Sequence, residues 1–282
     1  MLVRKITTAT AKRARIAAWW TSASVRRRSV LGDAPAVVSL TSYGHRIATV
    51  FATIESIAGG TLRPHRLILW LAHEDLDRRL PHTLRALQRR GLEIRGCDDL
   101  GAHKKYYPYA ASAPRDDLPL VTADDDVLYP RRWLETLLLR SRQYPQSTIG
   151  YRGELLRFLP DGSVAPYRTW ALATTSKPDH RLVLNGVGGV LYPPAVVAEA
   201  ARYGIQFLDE CPRGDDLWLH RATLRSGFVP RQVFDDAVHH AAVPGSQRTA
   251  LMATNVPGGN DEQIRRTYRA ADLERLRGLE TE

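Results

Sequence analysis

Leu118-Pro-Leu-Val-Thr122 runs through Ala123 directly into Asp124-Asp125-Asp126-Val-Leu-Tyr-Pro130. A short apolar, β-branched run bounded by polar residues predicts a buried strand, and the three carboxylates mark its carboxyl end. The same punctuation repeats upstream. Residues 36–41, Ala-Val-Val-Ser-Leu-Thr, read as a strand that stops at the turn signal Ser42-Tyr-Gly44. Residues 47–58 then read as a helix, with Ile47, Val50, Phe51, Ile54 and Ile57 on one face and Gly59-Gly60 ending it. A second strand is predicted over 66–71, a helix closed by Gly91 over 80–90, and a third, shorter strand over 92–95.

Strand, helix, strand, helix, strand at this spacing predicts an α/β fold. Its centre is a Rossmann-like, mostly parallel sheet with right-handed crossovers, flanked by helices. Ligands of such sheets bind beyond the carboxyl ends of the strands. The Ser42 turn, the Cys97-Asp98-Asp99 segment and the Asp triplet are therefore expected on one edge.

Downstream, helices are predicted over 131–142, 196–203 and 216–226, a hairpin around Asp161-Gly162, and a strand-like run over 229–234. Residues 261–282 read as one charged helix. No internal repeat or long linker interrupts the chain. The expected organisation is a basic N-terminal arm over 1–33, a single domain over 34–260 and the charged helix over 261–282.

Charge sharpens that division. The 282 residues carry 40 Lys and Arg against 30 Asp and Glu, a formal net charge of +10. Residues 1–30 hold eight of the basic side chains and no acidic one; the rest of the chain holds 32 basic and 30 acidic. The arm fits a basic amphipathic helix or a solvated tail. Its paired Trp19 and Trp20 beside arginines suit an anionic bilayer interface. A nucleic-acid-binding protein, suggested by the pI of about 9.9, would need a basic groove on the nearly neutral body, so no nucleic acid partner is expected. No run approaches the ~18 apolar residues of a membrane span, and the apolar run 16–20 is shorter than the ~7–15 residues of a signal-peptide core. The acid-free start also looks like an organelle transit peptide. Cys97 and Cys211 are too few for a disulfide scaffold or a four-cysteine zinc site, and free thiols in a reducing compartment are expected.

Three adjacent carboxylates after a buried strand repel one another, so the triplet favours a bound cation. Mg²⁺ or Mn²⁺ with hard oxygen ligands fits, and so does a solvated turn or helix cap. His103-Lys104-Lys105-Tyr-Tyr-Pro108 offers cations for phosphate oxygens, although lysine pairs are usually surface features. Asp215-Asp216 opens a helix, where carboxylates act as caps, and either could serve as a general base. His239-His240 could complete a metal shell, and is more often structural. Asn185-Gly-Val-Gly-Gly-Val-Leu191 lets a ligand approach the backbone, but it is not a G-x-G-x-x-G fingerprint. No P-loop, zinc spacing or nucleophile elbow is present.

Together these residues resemble a nucleotide-sugar-dependent glycosyltransferase of the A-type fold, of the family-2-like type that builds bacterial polysaccharides. The resemblance spans roughly 36–240. It rests on Val37-Val-Ser-Leu-Thr-Ser-Tyr43 as first nucleotide-binding strand and loop, Asp124-Asp125-Asp126 as the D-x-D motif, the glycine loop 185–191, and Asp215-Asp216-Leu-Trp218 as the late acidic motif. It implies that Asp124 and Asp126 hold Mn²⁺ or Mg²⁺ on the diphosphate, with His239 or His240 as a late metal or phosphate ligand. It implies that Asp125 contacts donor ribose or sugar, that Thr41, Ser42 and Arg46 line the nucleotide pocket, and that Asp98 meets the base and Lys105 a phosphate. Asn185, Gly186, Gly188 and Gly189 would form the acceptor-side loop. Asp216, with Asp215 beside it, would deprotonate the acceptor hydroxyl. The second motif is Asp-Asp where the family has Glu-Asp, which leaves the identity of the base open.

The implied activity is transfer of a sugar, with inversion, from a UDP- or GDP-linked donor to a glycan or lipid-linked acceptor. It would take place in the cytoplasm, on the inner face of the membrane if the arm binds there. A nucleotidyltransferase or sugar-phosphate enzyme would use the same carboxylates and metal, though no phosphate-cradling glycine loop lies near the N-terminus. A silent, partner-binding relative would not need both acidic motifs intact.

Overall fold

The computed structural model describes residues 28–112, 117–244 and 259–278. The arm, apart from 28–33, and residues 279–282 lie outside the described residues, so Trp19 and Trp20 do too.

Twelve strands occur in chain order among the described residues. The first six are β1 (Ala34–Thr41), β2 (Pro64–Ala72), β3 (Glu93–Cys97), β4 (Leu120–Ala123), β5 (Val127–Leu128) and β6 (Ser147–Gly150). Then follow β7 (Gly153–Leu155), β8 (Ala171–Leu172), β9 (Leu182–Leu184), β10 (Val190–Tyr192), β11 (Val229–Gln232) and β12 (Ala241–Ala242). Seven of them form one sheet in the order β11-β6-β10-β4-β1-β2-β3. Every neighbouring pair is parallel except those made by β10, which runs antiparallel to β4 and β6. This is the expected α/β architecture.

Strand alternation explains why β1 and β2 read as continuous apolar runs. Val38, Leu40, Leu67, Leu69 and Leu71 bury into one layer, with helices Phe51–Ala58, His82–Gln88 and Trp133–Gln143 packed over them. Val37, Ile68 and Trp70 face the opposite layer, against helices Pro194–Arg202 and Asp215–Arg225. A parallel sheet covered on both faces needs apolar residues at every position. The single polar residue in the middle of β1, Ser39, accepts a 3.1 Å hydrogen bond from the Trp70 indole.

Two predicted helices are divided. The one expected over 47–58 starts as a 3-10 turn, Gly44–Ala48, before the helix Phe51–Ala58. Gly44 takes φ +52° there, and the turn swings Arg46 inward. The charged helix expected over 261–282 is two helices, Gly259–Thr267 and Ala270–Gly278. The break falls at Tyr268 and Arg269. The Tyr268 ring is buried, with its hydroxyl 2.7 Å from His220 Nδ1. The Arg269 N–H is capped by Asp272 Oδ2 at 2.9 Å, the back-reaching half of a capping box.

The chain enters at the amino edge of the sheet. Val30 N–H donates to Arg90 O at 2.9 Å and Gly32 N–H to Pro64 O at 2.9 Å. Ser42 lies at the other end of β1, about 25 Å away at ~3.3 Å per residue. Among the described residues no helix is long and apolar enough to cross a membrane.

Candidate functional site

The expected edge does gather the acidic motifs. β4 ends at Ala123 beside the end of β1, so the triplet faces the Ser42–Arg46 turn. Asp125 points inward. Its Oδ2 accepts hydrogen bonds from Ser42 Oγ at 2.5 Å and Arg46 Nε at 3.1 Å, and its Oδ1 from Arg46 Nη2. Arg46 Nη2 also pairs with Asp126 Oδ2 at 2.9 Å. Thr53 Oγ1 donates to the Asp125 carbonyl at 2.8 Å and Val243 N–H to the Asp126 carbonyl at 2.7 Å, so both backbone units are fixed. The resemblance gave Asp125 a donor contact. Here its oxygens are engaged by Ser42 and Arg46, and it anchors the triplet. Asp124 is the most exposed of the three, and its N–H donates to the Tyr129 hydroxyl at 2.9 Å.

The lysine motif is internal. His103 Nε2 donates to Cys211 O at 2.7 Å, its Nδ1 lies 3.0 Å from the Tyr106 hydroxyl, and its ring stacks on Phe207 with centroids 4.1 Å apart. Burial pushes its imidazole pKa down to about 3, so the ring stays neutral and acts as a bolt. Lys104 pairs with Asp99. Lys105 is buried, with Nζ 2.7 Å from Asp124 Oδ1 and 3.0 Å from Asp215 Oδ2. Burial opposes its charge, but Asp124, Asp215 and Asp216 overcome that and hold the ammonium well above its usual pKa. Lys105 therefore joins the two acidic motifs.

Asp215 and Asp216 open the helix Asp215–Arg225, as the dipole favours. Asp216 Oδ1 accepts the Gly186 N–H at 2.9 Å. A Cβ placed on Gly186 would sit 3.1 Å from Asp216 Oδ1, 3.2 Å from Lys105 Nζ and 3.5 Å from Asp124 Oδ1. The glycine loop therefore runs through the middle of the charged cluster, where a side chain would crowd it. Burial first, then the Asp215 charge, drives the Asp216 carboxyl well above the usual carboxylate range. Burial raises Asp125, Asp126 and Asp215 as well, against the pull of Arg46 or Lys105.

The loop is held from behind. Trp133 Nε1 donates to Gly188 O at 2.9 Å, and His240 Nε2 lies 3.2 Å from the same oxygen. Gly189 takes φ +86°, and a Cβ there would fall 2.5 Å from the Trp133 ring. Gly189→Ala is expected to destabilise the fold by about 3 kcal/mol, combining backbone strain with a clash against a buried ring. A denaturation midpoint equal to wild type would show that the loop is not seated on Trp133.

Several sequence expectations separate from this cluster. His239 Nδ1 lies 2.9 Å from Arg152 Nη1, and His240 packs between Tyr129 and Tyr151. Among the described residues no three His, Cys, Asp or Glu side chains are grouped to hold a metal ion. Neither histidine thus joins Asp124 and Asp126: one ring faces a guanidinium and the other serves the loop carbonyl. Thr41 Oγ1 donates to Trp70 O at 2.9 Å and is a strand-end anchor. Asp98 is exposed on the loop after β3. Asn185 is buried ahead of Gly186, and its N–H donates to Arg152 O at 2.9 Å. Sequence reading missed Thr53, Tyr129 and Trp133, which look like core residues, and the counterion role of Arg46.

No protein-family model matches the chain, and no curated protein sequence matches it. Among solved structures, it is similar to the 4-diphosphocytidyl-2C-methyl-D-erythritol synthase of Anaerococcus prevotii DSM 20548. That likeness has 12% identity and a TM-score of 0.47, and covers 80% of this chain and 96% of the other.

Proposed function

We propose that the chain is a glycosyltransferase that moves a sugar from a nucleoside-diphosphate donor to an acceptor hydroxyl with inversion. The observation that carries this reading is the meeting of two acidic motifs at Gly186. Lys105 is salt-bridged to both motifs, and Asp216 is oriented by a backbone N–H. Asp215 is tied to Lys105, which leaves Asp216 as the base. In the transfer, the acceptor oxygen bonds to the anomeric carbon while the bond from that carbon to the diphosphate oxygen breaks. The electron pair leaves with the nucleoside diphosphate, and Asp216 takes the acceptor proton. Its raised pKa makes it a stronger base than an ordinary aspartate.

For a divalent cation the chain offers two carboxylates of the triplet, with no third protein ligand grouped beside them among the described residues. Arg46 pairs with Asp125 and Asp126, and Lys105 with Asp124 and Asp215, yet burial still holds Asp125, Asp126, Asp215 and Asp216 above the usual carboxylate range. Asp124 and Asp126 are the residues that would hold Mn²⁺ or Mg²⁺. Such ions commonly take one or two carboxylates and complete their shell with phosphate and water. The bound ion would stabilise charge on the leaving diphosphate.

A nucleotidyltransferase is the second reading, because Lys105 and the acidic cluster would serve attack on a nucleotide phosphorus equally well. The products separate the two. Sugar nucleotides with Mn²⁺ are expected to raise the thermal midpoint, by mass action equivalent to about 2.7 kcal/mol at a hundredfold excess over Kd. Turnover should release nucleoside diphosphate. Release of pyrophosphate from a nucleoside triphosphate and a sugar phosphate, with no response to sugar nucleotides, would replace the first reading by the second.

A further inference from the structure

The helix Asp215–Arg225 begins after Gly214, which has no side chain to cap it. Its anchor comes from the C-terminal helix Gly259–Thr267, through Gln263. Gln263 Oε1 accepts the Arg213 N–H at 2.7 Å, two residues ahead of Asp215. The Gln263 side chain is only 4% exposed, on the same buried face as Ile264 and Thr267. A buried amide is unfavourable unless it is hydrogen-bonded. Its Nε2 donates to Gly259 O at 3.2 Å and to Asn260 Oδ1 at 3.3 Å, which fixes the amide with its oxygen toward Arg213. The turn it holds is tight. Cys211 Sγ donates to Gly214 O at 3.1 Å, and a Cβ on Gly214 would fall 2.9 Å from that sulfur and 3.5 Å from Gln263 Oε1. The same C-terminal segment grips the rest of the helix. The Tyr268 hydroxyl meets His220 Nδ1 at 2.7 Å, and Asp272 takes Arg225 through both carboxylate oxygens at 2.9 and 2.8 Å.

We propose that Gln263 is a positioning residue for the late acidic pair, acting through the backbone. By holding Arg213, it sets the start of the helix so that Asp216 Oδ1 receives the Gly186 N–H at 2.9 Å and Asp215 Oδ2 lies 3.0 Å from Lys105 Nζ. The kinetic consequence rests on Asp216 being the base; the geometric one does not. The Arg225–Asp272 pair makes the contrast. It lies at the opposite end of the same helix, where it docks the helix without setting its first turn. Displacing a reacting group by about 1 Å can lower a rate by roughly a hundredfold. A loosened 211–214 turn is therefore expected to act on kcat, whereas a loosened docking pair acts on stability alone.

The test uses the full chain and two readouts. Hydrogen exchange at the Gly186 amide reports its contact with Asp216 whether or not the chain turns over. Hydrolysis of the sugar nucleotide that gives the largest thermal shift, with Mn²⁺ and water as acceptor, reports kcat. Gln263→Met keeps the length and removes the acceptor oxygen. It is expected to speed Gly186 exchange about tenfold and to lower kcat about tenfold, with the donor KM and the donor-induced thermal shift unchanged. Gln263→Glu keeps an oxygen for the Arg213 N–H and should restore both. Arg225→Met should lower the urea midpoint and move neither readout. If Gln263→Met folds poorly, Gln263→Asn withdraws the oxygen while keeping an amide. Wild-type Gly186 exchange in Gln263→Met and Gln263→Asn, no recovery in Gln263→Glu, or equally fast exchange in Arg225→Met would overturn the positioning role. Failure of wild type to release nucleoside diphosphate from any sugar nucleotide would instead overturn the Asp216 reading, and Gly186 exchange would still decide the role of Gln263.

Discussion

Asp216→Asn is expected to lower the transfer rate by about a thousandfold, within the 10²–10⁴ range of a positioned general base. Donor binding should persist and the thermal midpoint should rise. The three effects have one cause. The Asp216 carboxyl is held well above its usual range by burial, then by the Asp215 charge, with Lys105 only partly opposing them. Its ionised form is therefore less favourable in the folded chain than in the unfolded one. The sign follows: stability from this group is present below the ordinary carboxyl pKa and is lost as pH rises through the raised value. At neutral pH the wild type bears that cost, and a neutral amide removes it. Asparagine keeps an oxygen for the Gly186 N–H, so the loop stays seated. A gain of ~1 kcal/mol corresponds to about 2 °C for a chain of this size. Wild-type turnover in the variant would move the base role to another group. Loss of donor binding would place Asp216 on the donor instead. The wild-type rate should climb with pH through the raised Asp216 pKa.

What could be read from sequence, and what could not, divides along the range of the interaction. Alternation and turn residues are local, so the strands ending at Ser42 and Asp124 and the order of the helices were legible from the chain. Their meeting on one edge followed from the sheet being parallel. The partners of the charges were not legible. Ser42 and Asp125 are 83 residues apart, Arg46 and Asp125 79, and Gly186 and Asp216 30. Repulsion within the triplet is evident from its spacing, which favours either a bound cation or a solvated turn. The structure shows that the chain supplies two cations of its own. Lys104 and Lys105 resemble a solvated pair for the same reason, since nothing near them reveals that His103 is bolted to Cys211 O on the segment that carries Asp215. A histidine pair likewise shows no sign of an arginine 87 residues away, so the Arg152 contact of His239 was not legible.

Membrane recruitment by the basic arm meets a geometric constraint of the same long-range kind. The described chain starts at the amino edge of the sheet, and the acidic cluster lies at the carboxyl edge. An arm bound to anionic lipid would act as a tether attached about one strand length from the site. The charge pattern alone implies only that the arm would hold the domain at an anionic membrane.

Arg46→Met is expected to give the largest loss of stability of any single change at the site, about 3–5 kcal/mol. The buried guanidinium is bonded to both oxygens of Asp125 and to Asp126 Oδ2. Methionine matches much of its length and leaves two buried carboxyls without their counterion. Both already sit above the usual carboxylate range because burial outweighs Arg46, and losing the cation raises them further. The deficit should therefore be greatest at neutral pH. It should shrink as pH falls through those raised values, where the carboxyls take up protons in the folded chain. Asp125→Asn in the Arg46→Met background should recover much of the loss, giving a coupling energy well above the few tenths of a kcal/mol found for independent sites. A nucleotide-lining arginine, the role implied by the family resemblance, makes the opposite forecast: its loss weakens donor binding and leaves the urea midpoint of the free protein alone. Equal urea midpoints for wild type and Arg46→Met would reject the counterion role. A large shift that Asp125→Asn relieves would establish that the acidic triplet is first a folding problem, solved by Arg46, before any donor arrives.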